Sequence, residues 1–154
     1  MKMNGITVER MKPITVVINR GKDEEPLVAI CKPVISYESF NKIFPIPTPP
    51  EILLKGGTKD FNTKDPEYLK RINEYSEAKI FYLFLESVRG SIEWDTIKDE
   101  DPATWKNCEQ EMKEAGLSSK EIEMVFDGVF EANALSEAKM EQARKSFLAG
   151  RGEK

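Results

Sequence analysis

Five acidic side chains lie close together in the second half of the sequence and could bind a divalent cation through their oxygen atoms. They are Glu93, Asp95, Asp99, Glu100 and Asp101. Their spacing does not match an EF-hand loop, and no glycine occupies the position at which that loop turns. We therefore expect a solvated loop in which one carboxylate caps the next helix, and we expect no metal site and no cofactor.

The absence of histidine limits the chemistry further. Without it the chain can form neither a Ser-His-Asp nor a Cys-His nucleophilic system, and it lacks the usual general base near neutral pH. Cys31 and Cys108 lie far apart in apolar settings, which in a reducing cytosol favours buried free thiols over a disulfide or a reactive thiol. We expect a protein that is not an enzyme, although carboxylate or lysine chemistry stays open.

The composition is that of one globular domain. The 154 residues are 40% hydrophobic and 32% charged, which allows a real core. The net charge of −4 argues against nucleic acid as a partner, because such a partner usually requires a basic face. No apolar run approaches the roughly 20 residues that span a bilayer, and the first residues lack a signal-peptide core. We expect a protein that contacts no membrane, is not secreted and stays in the cytoplasm.

Residues 1–60 are expected to form a β-rich part that includes two short apolar runs. The runs Ile14–Ile18 and Leu27–Cys31 flank a polar turn region, which predicts an antiparallel hairpin. Both runs are nearly continuous rather than alternating, so we expect both faces of the hairpin to be covered, by helices or by a partner. Further along, Ile52–Leu54 predicts a short strand. A turn at Gly56-Gly57 and then a polar loop are expected after it.

A proline-rich segment, residues 44–51, follows a short predicted helix. Ser36 is the expected N-cap of that helix, and Pro45 is expected to end it. The segment holds four of the nine prolines, which favour an extended backbone with little entropy left to lose. We expect it to brace the β-rich part against the long helix that follows, with Phe44 and Ile46 packing. A partner-binding strip and a loose linker are the alternatives.

Residues 65–150 contain start and stop signals for about four helices. Asp65-Pro66 predicts a long helix that runs to Arg89, before Gly90, and includes an apolar stretch near its end. Asp101-Pro102 predicts the start of a second helix, which should bury one face of Trp105, Cys108 and Met112. The remaining signals are a capping box at 118–121, a left-handed residue at Asn133, an N-cap at Ser136 and a frayed tail at 150–154.

These elements predict a single α+β domain over residues 1–154. In it a short N-terminal antiparallel hairpin or sheet packs against a mainly helical C-terminal part. Most of the apolar side chains on the helices are expected to form the core, but one stripe could be left for a protein partner. The contact candidates are the large apolar residues Ile80, Phe81, Phe84, Leu85, Phe126, Phe130 and Phe147.

The order of the sequence blocks resembles that of a known viral family. After the β-rich start come "YESFNKIFPIPTPPE", a long helix that ends in aromatic and aliphatic residues, "WDTIKDEDPATWKNCEQEMKEAGLSSKEI" and a terminal "EANALSEAKMEQARKSFLAG". These blocks, over roughly residues 10–149, resemble the tail assembly chaperone-like proteins of long-tailed bacteriophages. No catalytic motif contributes to the resemblance.

The resemblance implies a non-enzymatic protein that binds the tape measure protein and keeps it soluble during tail morphogenesis. The partner could also be another tail protein, and self-association into a homo-oligomer stays open. The place of action would be the cytoplasm of the infected bacterial host.

Two alternatives to this function stay open. The first is a structural virion component, such as a minor tail or head-completion protein. The second is a DNA-binding regulator, because the last two predicted helices have the length of a helix-turn-helix. However, Arg144 and Lys145 of the last helix are interleaved with Glu137 and Glu141, a pattern typical of surface support.

Overall fold

The structure is a computed structural model that describes residues 1–135 and 137–148, without the side chains of residues 137 and 146–148. It has the predicted α+β fold, with 44% of the residues in helices and 15% in strands. The strands are β1 (Lys2–Met3), β2 (Ile6–Thr7), β3 (Ile14–Ile18), β4 (Leu27–Cys31), β5 (Glu51–Leu53) and β6 (Lys59–Phe61). The helices are α1 (Glu38–Ile43), α2 (Pro66–Ser87), α3 (Cys108–Glu114), α4 (Ser119–Ala132) and α5 (Glu137–Leu148), and a 3₁₀ helix (Pro102–Asn107) leads into α3.

The described strands pair into three separate antiparallel hairpins. The hairpins of β1 with β2 and of β5 with β6 are small, and all their residues are exposed. Strand β5 lies one residue earlier than the predicted strand at 52–54. The polar loop expected after Gly57 contains β6 instead, so that expectation is wrong. Strand pairing uses backbone groups, and Lys59 can pair with Leu53 although the β6 sequence is largely polar.

The third hairpin, β3 with β4, lies on the helical core. Its predicted bounds are confirmed, and the register places Val16 opposite Ala29. The inner face of the hairpin is buried against α4 and consists of Val16, Ile18, Ala29 and Cys31. This close packing requires a glycine, because a Cβ atom on Gly128 of α4 would lie 2.4 Å from Val16 Cγ2.

The outer face of the β3–β4 hairpin is open. Val17 and Val28 lie opposite each other in the register, and both are exposed, as is Ile30. Within the described residues, helices therefore cover only one face, because the pleat alternates burial even where the sequence does not alternate polarity. That a partner covers the outer face stays a prediction.

Helix α2 runs through the centre of the core, and its start signal is confirmed. The Asp65 carboxylate accepts a hydrogen bond of 2.9 Å from the Tyr68 amide, and Pro66 opens the helix. Residues 81–85 are all buried, as expected of a helix that is apolar all round. The helix ends two residues before the predicted Arg89, and Gly90 follows in the left-handed region with φ of +85°.

The helix predicted from Asp101-Pro102 consists of two parts. Asp101 caps a 3₁₀ helix by accepting from the Ala103 amide, and α3 continues from it. The predicted apolar face is confirmed, because Trp105, Cys108 and Met112 are buried.

Helix α4 begins at the predicted capping box, in which Ser118 and Glu121 bond each other's backbone amides. The prediction for its end is wrong: Asn133 has φ of −102°, and Ala134 takes the left-handed conformation with φ of +48°. Asn133 uses its side chain instead, accepting from the Val34 amide at 2.7 Å and donating to a carbonyl of α4. The predicted N-cap at Ser136 and the frayed tail at 150–154 lie outside the described residues.

The short helix α1 leads into the proline-rich segment. Tyr37 occupies the N-cap position, so the prediction for Ser36 is one residue off, although the Ser36 hydroxyl accepts from the Glu38 amide. The helix ends before Pro45 as predicted. The ring of Phe44 stacks on buried Phe40 at 6.0 Å, which anchors one end of the segment to the core. Ile46 is exposed, so the expectation that it packs is wrong.

Candidate protein-binding groove

Most of the contact candidates predicted from the sequence are buried in the core. Five of the seven are buried, and Phe84 meets Phe126 edge-on at 4.8 Å between ring centroids. Ile80 is half-buried against this core, and the side chain of Phe147 lies outside the described residues. A partner could reach the buried five only if the chain opened, so their role in partner contact stays a prediction. The buried five are Phe81, Phe84, Leu85, Phe126 and Phe130.

The acidic segment 93–101 is held by hydrogen bonds and ion pairs. Arg89 binds both carboxylate oxygens of Asp99, at 2.9 and 3.0 Å, and the Arg89 hydrogen bonds hold the pKa of Asp99 below its usual value. The indole of Trp105 donates to the Lys98 carbonyl at 3.0 Å. Among the described residues, no group of three or more histidines, cysteines or carboxylates could hold a metal ion. The segment is therefore a fixed connection between α2 and the 3₁₀ helix.

Both cysteines are buried free thiols, which confirms the prediction. Burial raises the pKa of Cys31 to about 11 and that of Cys108 to about 12. Because only the thiolate is an effective nucleophile, both thiols are unreactive at neutral pH while the chain is folded.

An open groove of about 490 Å³ lies between the β3–β4 hairpin, α3 and the segment after α2. We refer to it as the hairpin groove. Its larger apolar side chains belong to Ile18, Leu27, Val28, Ile92, Trp94, Met112 and Leu117. Leu27 is 45% exposed and Val28 is 48% exposed, so solvent reaches apolar surface that the chain leaves uncovered. Such a surface is a candidate for binding another molecule.

The wall formed by residues 95 and 96 is fixed by one carboxylate of α3. Glu111 accepts hydrogen bonds from the amides of Asp95 and Thr96 and from the Thr96 hydroxyl. Partial burial opposes ionisation of Glu111, but these hydrogen bonds outweigh it and lower its pKa. Glu111 is therefore ionised at neutral pH and holds the loop against α3.

The opposite wall is the edge of β4, which is already occupied. Ser91 accepts a hydrogen bond of 2.7 Å from the Ile30 amide, and its hydroxyl lies 3.4 Å from the Val28 carbonyl oxygen. Because Ser91 takes these backbone groups, the groove presents mainly side chains to an incoming molecule.

An ion pair ties the hairpin to the turn between α3 and α4. The Arg20 guanidinium donates to both carboxylate oxygens of Glu121, at 2.8 and 2.9 Å, and to the Gly116 carbonyl at 3.3 Å. Gly116 lies between Ala115 and Leu117, which both line the groove. The ion pair therefore holds the hairpin next to one end of the groove.

The charged side chains that line the hairpin groove are acidic, and the Arg20 guanidinium at one end of it is paired with Glu121. Of the described residues that line it, four are carboxylates and none is a lysine or an arginine. The carboxylates belong to Glu93, Asp95, Glu111 and Glu114. An apolar floor with an acidic rim attracts apolar groups that carry positive charge beside them.

Sequence reasoning missed this groove. The available signal is Trp94, an aromatic side chain in an otherwise acidic segment. Its importance depends on Leu27 and Met112, which come from distant parts of the chain, and the fold alone brings these residues to one surface.

No protein-family model matches this chain, and neither the curated proteins nor the solved structures contain a match to it. Within residues 1–135 and 137–148, every helix is too short or too polar to cross a bilayer.

Proposed function

We propose that this chain is a non-enzymatic, chaperone-like protein of phage tail assembly. It binds the tape measure protein, or another tail protein, in the cytoplasm of the infected bacterium. The observation that carries the binding part of this proposal is the hairpin groove, an apolar surface that the chain leaves open to solvent. The tail-assembly part depends on the resemblance of the sequence blocks to those of tail assembly chaperone-like proteins.

The described side chains favour binding over catalysis. The chain has no histidine, and both thiols are protonated and buried. Two carboxylates that could act as acids or bases are engaged elsewhere: Asp99 binds Arg89, and Glu111 holds the 95–96 loop.

A nucleic-acid partner is disfavoured by the same charges. The groove rim is acidic, and phosphate groups would be repelled from it. On α5, the Arg144 guanidinium binds the Asp127 carboxylate at 3.0 Å, so this cation supports helix packing.

The direct test is co-expression of the full chain with the tape measure protein encoded in the same genome. We expect the two to co-purify through affinity and size-exclusion steps, and the tape measure protein to precipitate when expressed alone. Failure to co-purify with any tail protein of that phage would contradict the proposal.

Mass spectrometry of purified virions separates a chaperone from a structural component. A chaperone leaves before the tail is complete, so its peptides should be absent from mature particles. Their presence in stoichiometric amounts would favour a minor tail or head-completion protein instead.

A further inference from the structure

We infer that the hairpin groove binds one face of an amphipathic helix whose apolar stripe is flanked by lysine or arginine. This inference specifies the partner chemistry and rests on the proposed protein-binding function. Three observations support it: the floor of the groove is apolar, Ser91 occupies backbone groups at the β4 edge, and the rim is acidic.

The floor favours apolar side chains of a protein over a small polar ligand. Leu27 and Val28 are half-exposed, and the ring of Trp94 lines the opposite side. The groove is open, and two of the polar side chains that line it are engaged by the chain itself: Glu111 holds the 95–96 loop, and Ser91 bonds β4. A small-molecule site usually needs polar groups that are free to converge on the ligand.

The state of the β4 edge favours a helix over an extended strand. A strand that binds by augmentation must pair its backbone with a free edge. Here Ser91 already bonds the Ile30 amide and lies beside the Val28 carbonyl. A helix satisfies its own backbone hydrogen bonds and needs only a surface for its side chains.

The acidic rim of the groove favours basic residues on either side of the apolar stripe of the bound helix. Glu93 and Glu114 are exposed carboxylates on the rim, and no described lining residue neutralises them. Lysines or arginines placed three or four residues from the apolar positions of a helix would lie beside its stripe and reach these carboxylates.

The test uses two labelled synthetic peptides of about 18 residues, or five helical turns. Both carry leucine in one helical stripe; the polar positions are lysine in one peptide and glutamate in the other. Binding to the full chain is measured by fluorescence anisotropy at physiological salt. Tryptophan emission is recorded for the wild type and for Trp94→Phe, because the chain also contains Trp105. We expect binding of the lysine peptide, a change in tryptophan emission that Trp94→Phe abolishes, and at least tenfold weaker binding of the glutamate peptide.

A double substitution on the rim, Glu93→Lys with Glu114→Lys, should weaken the lysine peptide about tenfold and strengthen the glutamate peptide. The matched control is Glu77→Lys with Glu131→Lys, which changes the net charge equally at exposed positions outside the groove. Thermal unfolding of each variant checks that the fold is kept. If both double substitutions weakened binding of the lysine peptide equally, the peptide would be attracted by the overall charge of the protein, and the inference would be overturned.

Three further outcomes test this inference, and the last two also separate it from the proposed function. If both peptides bind equally and Leu27→Ser weakens both, the groove binds apolar segments without charge selection, and the inference fails. If neither peptide binds but the tape measure protein still co-purifies, the inference also fails and the proposed function stands. If the lysine peptide binds as expected and no tail protein co-purifies, the proposed function fails instead.

Discussion

The β3–β4 and β5–β6 hairpins are both two-stranded and antiparallel, yet they differ in almost every other respect. The β3–β4 hairpin buries one face on α4, presents the other to solvent and forms one wall of the hairpin groove. The β5–β6 hairpin leaves apolar side chains such as Leu53 and Phe61 exposed. Apolar sequence alone therefore does not decide which hairpin joins the core. The β3–β4 hairpin packs closely against α4, where a Cβ atom on Gly128 would lie 2.4 Å from Val16 Cγ2.

The largest difference in stability between the two hairpins should come from replacing one isoleucine in each of them with alanine. Ile18 is 4% exposed and Ile52 is 40% exposed. Ile18→Ala should lower the free energy of unfolding by about 2–4 kcal/mol, because it leaves a cavity in the core. Ile52→Ala should lower it by about 1 kcal/mol or less. Urea unfolding followed by circular dichroism measures both, and equal losses would contradict the assignment of the two hairpins.

The contact of the β3–β4 hairpin with α4 can be tested at Gly128. An alanine Cβ would lie 2.4 Å from Val16 Cγ2 and 3.0 Å from Cys31 Sγ, so helix or strand must move. Gly128→Ala should cost about 1–2 kcal/mol net, because overpacking exceeds the gain of helix propensity. The same unfolding assay applies, and stabilisation by the alanine would show that the close approach is absent.

A double variant isolates the steric cause of that loss. Val16→Ala removes the methyl groups that the new Cβ would meet. The combined cost of Val16→Ala and Gly128→Ala should therefore be smaller than the sum of the two single costs, by about 1 kcal/mol. Strict additivity would point to a cause other than this contact.

A smaller difference is expected from the ion pairs of the two hairpins. Arg20 binds Glu121 at 2.8 Å with both side chains partly shielded, whereas Lys59 and Glu51 of the β5–β6 hairpin are 4.0 Å apart and exposed. Arg20→Gln should lower the urea midpoint measurably, and Lys59→Gln should leave it unchanged. A drop of the same size for both variants would remove this distinction.

The smallest effect is the pH dependence of the Arg20 ion pair. The Ser118 amide and Arg20 lower the pKa of Glu121 from its ordinary value of 4.5. A lowered folded pKa gives stability that is present above the unfolded pKa and lost as pH falls through the folded pKa. The difference in urea midpoint between wild type and Arg20→Gln should therefore be full at pH 7 and should shrink below pH 4.5. A constant difference down to pH 3 would contradict the pairing.

Local signals in the sequence predict much of this fold. The Asp65-Pro66 start, the capping box at Ser118 and the bounds of β3 and β4 all depend on neighbours in sequence, and the structure contains each of them. Asn133 shows where such reasoning stops. Its side-chain oxygen accepts from the Val34 amide across the fold, and the next residue, Ala134, takes the left-handed conformation.

The hairpin groove could not be predicted in the same way. The sequence places Leu27 in an apolar run of the predicted hairpin and offers Phe84 as a contact candidate, but Leu27 is half-exposed and Phe84 is buried. Exposure depends on which elements cover a residue after folding, and spacing along the chain does not encode that. The large aromatic residues chosen as contact candidates are the ones that a core buries first.

We propose that the β3–β4 hairpin, and not the β5–β6 hairpin, binds the protein partner. Leu27 lines the groove, and Leu54 directly follows β5; each is 45% exposed, so the two serve as a matched pair. The decisive measurement is the amount of tape measure protein that co-purifies with Leu27→Ser and with Leu54→Ser, relative to wild type. We predict a severalfold loss for Leu27→Ser and no loss for Leu54→Ser. Equal recovery with both variants, from folded protein, would contradict the claim.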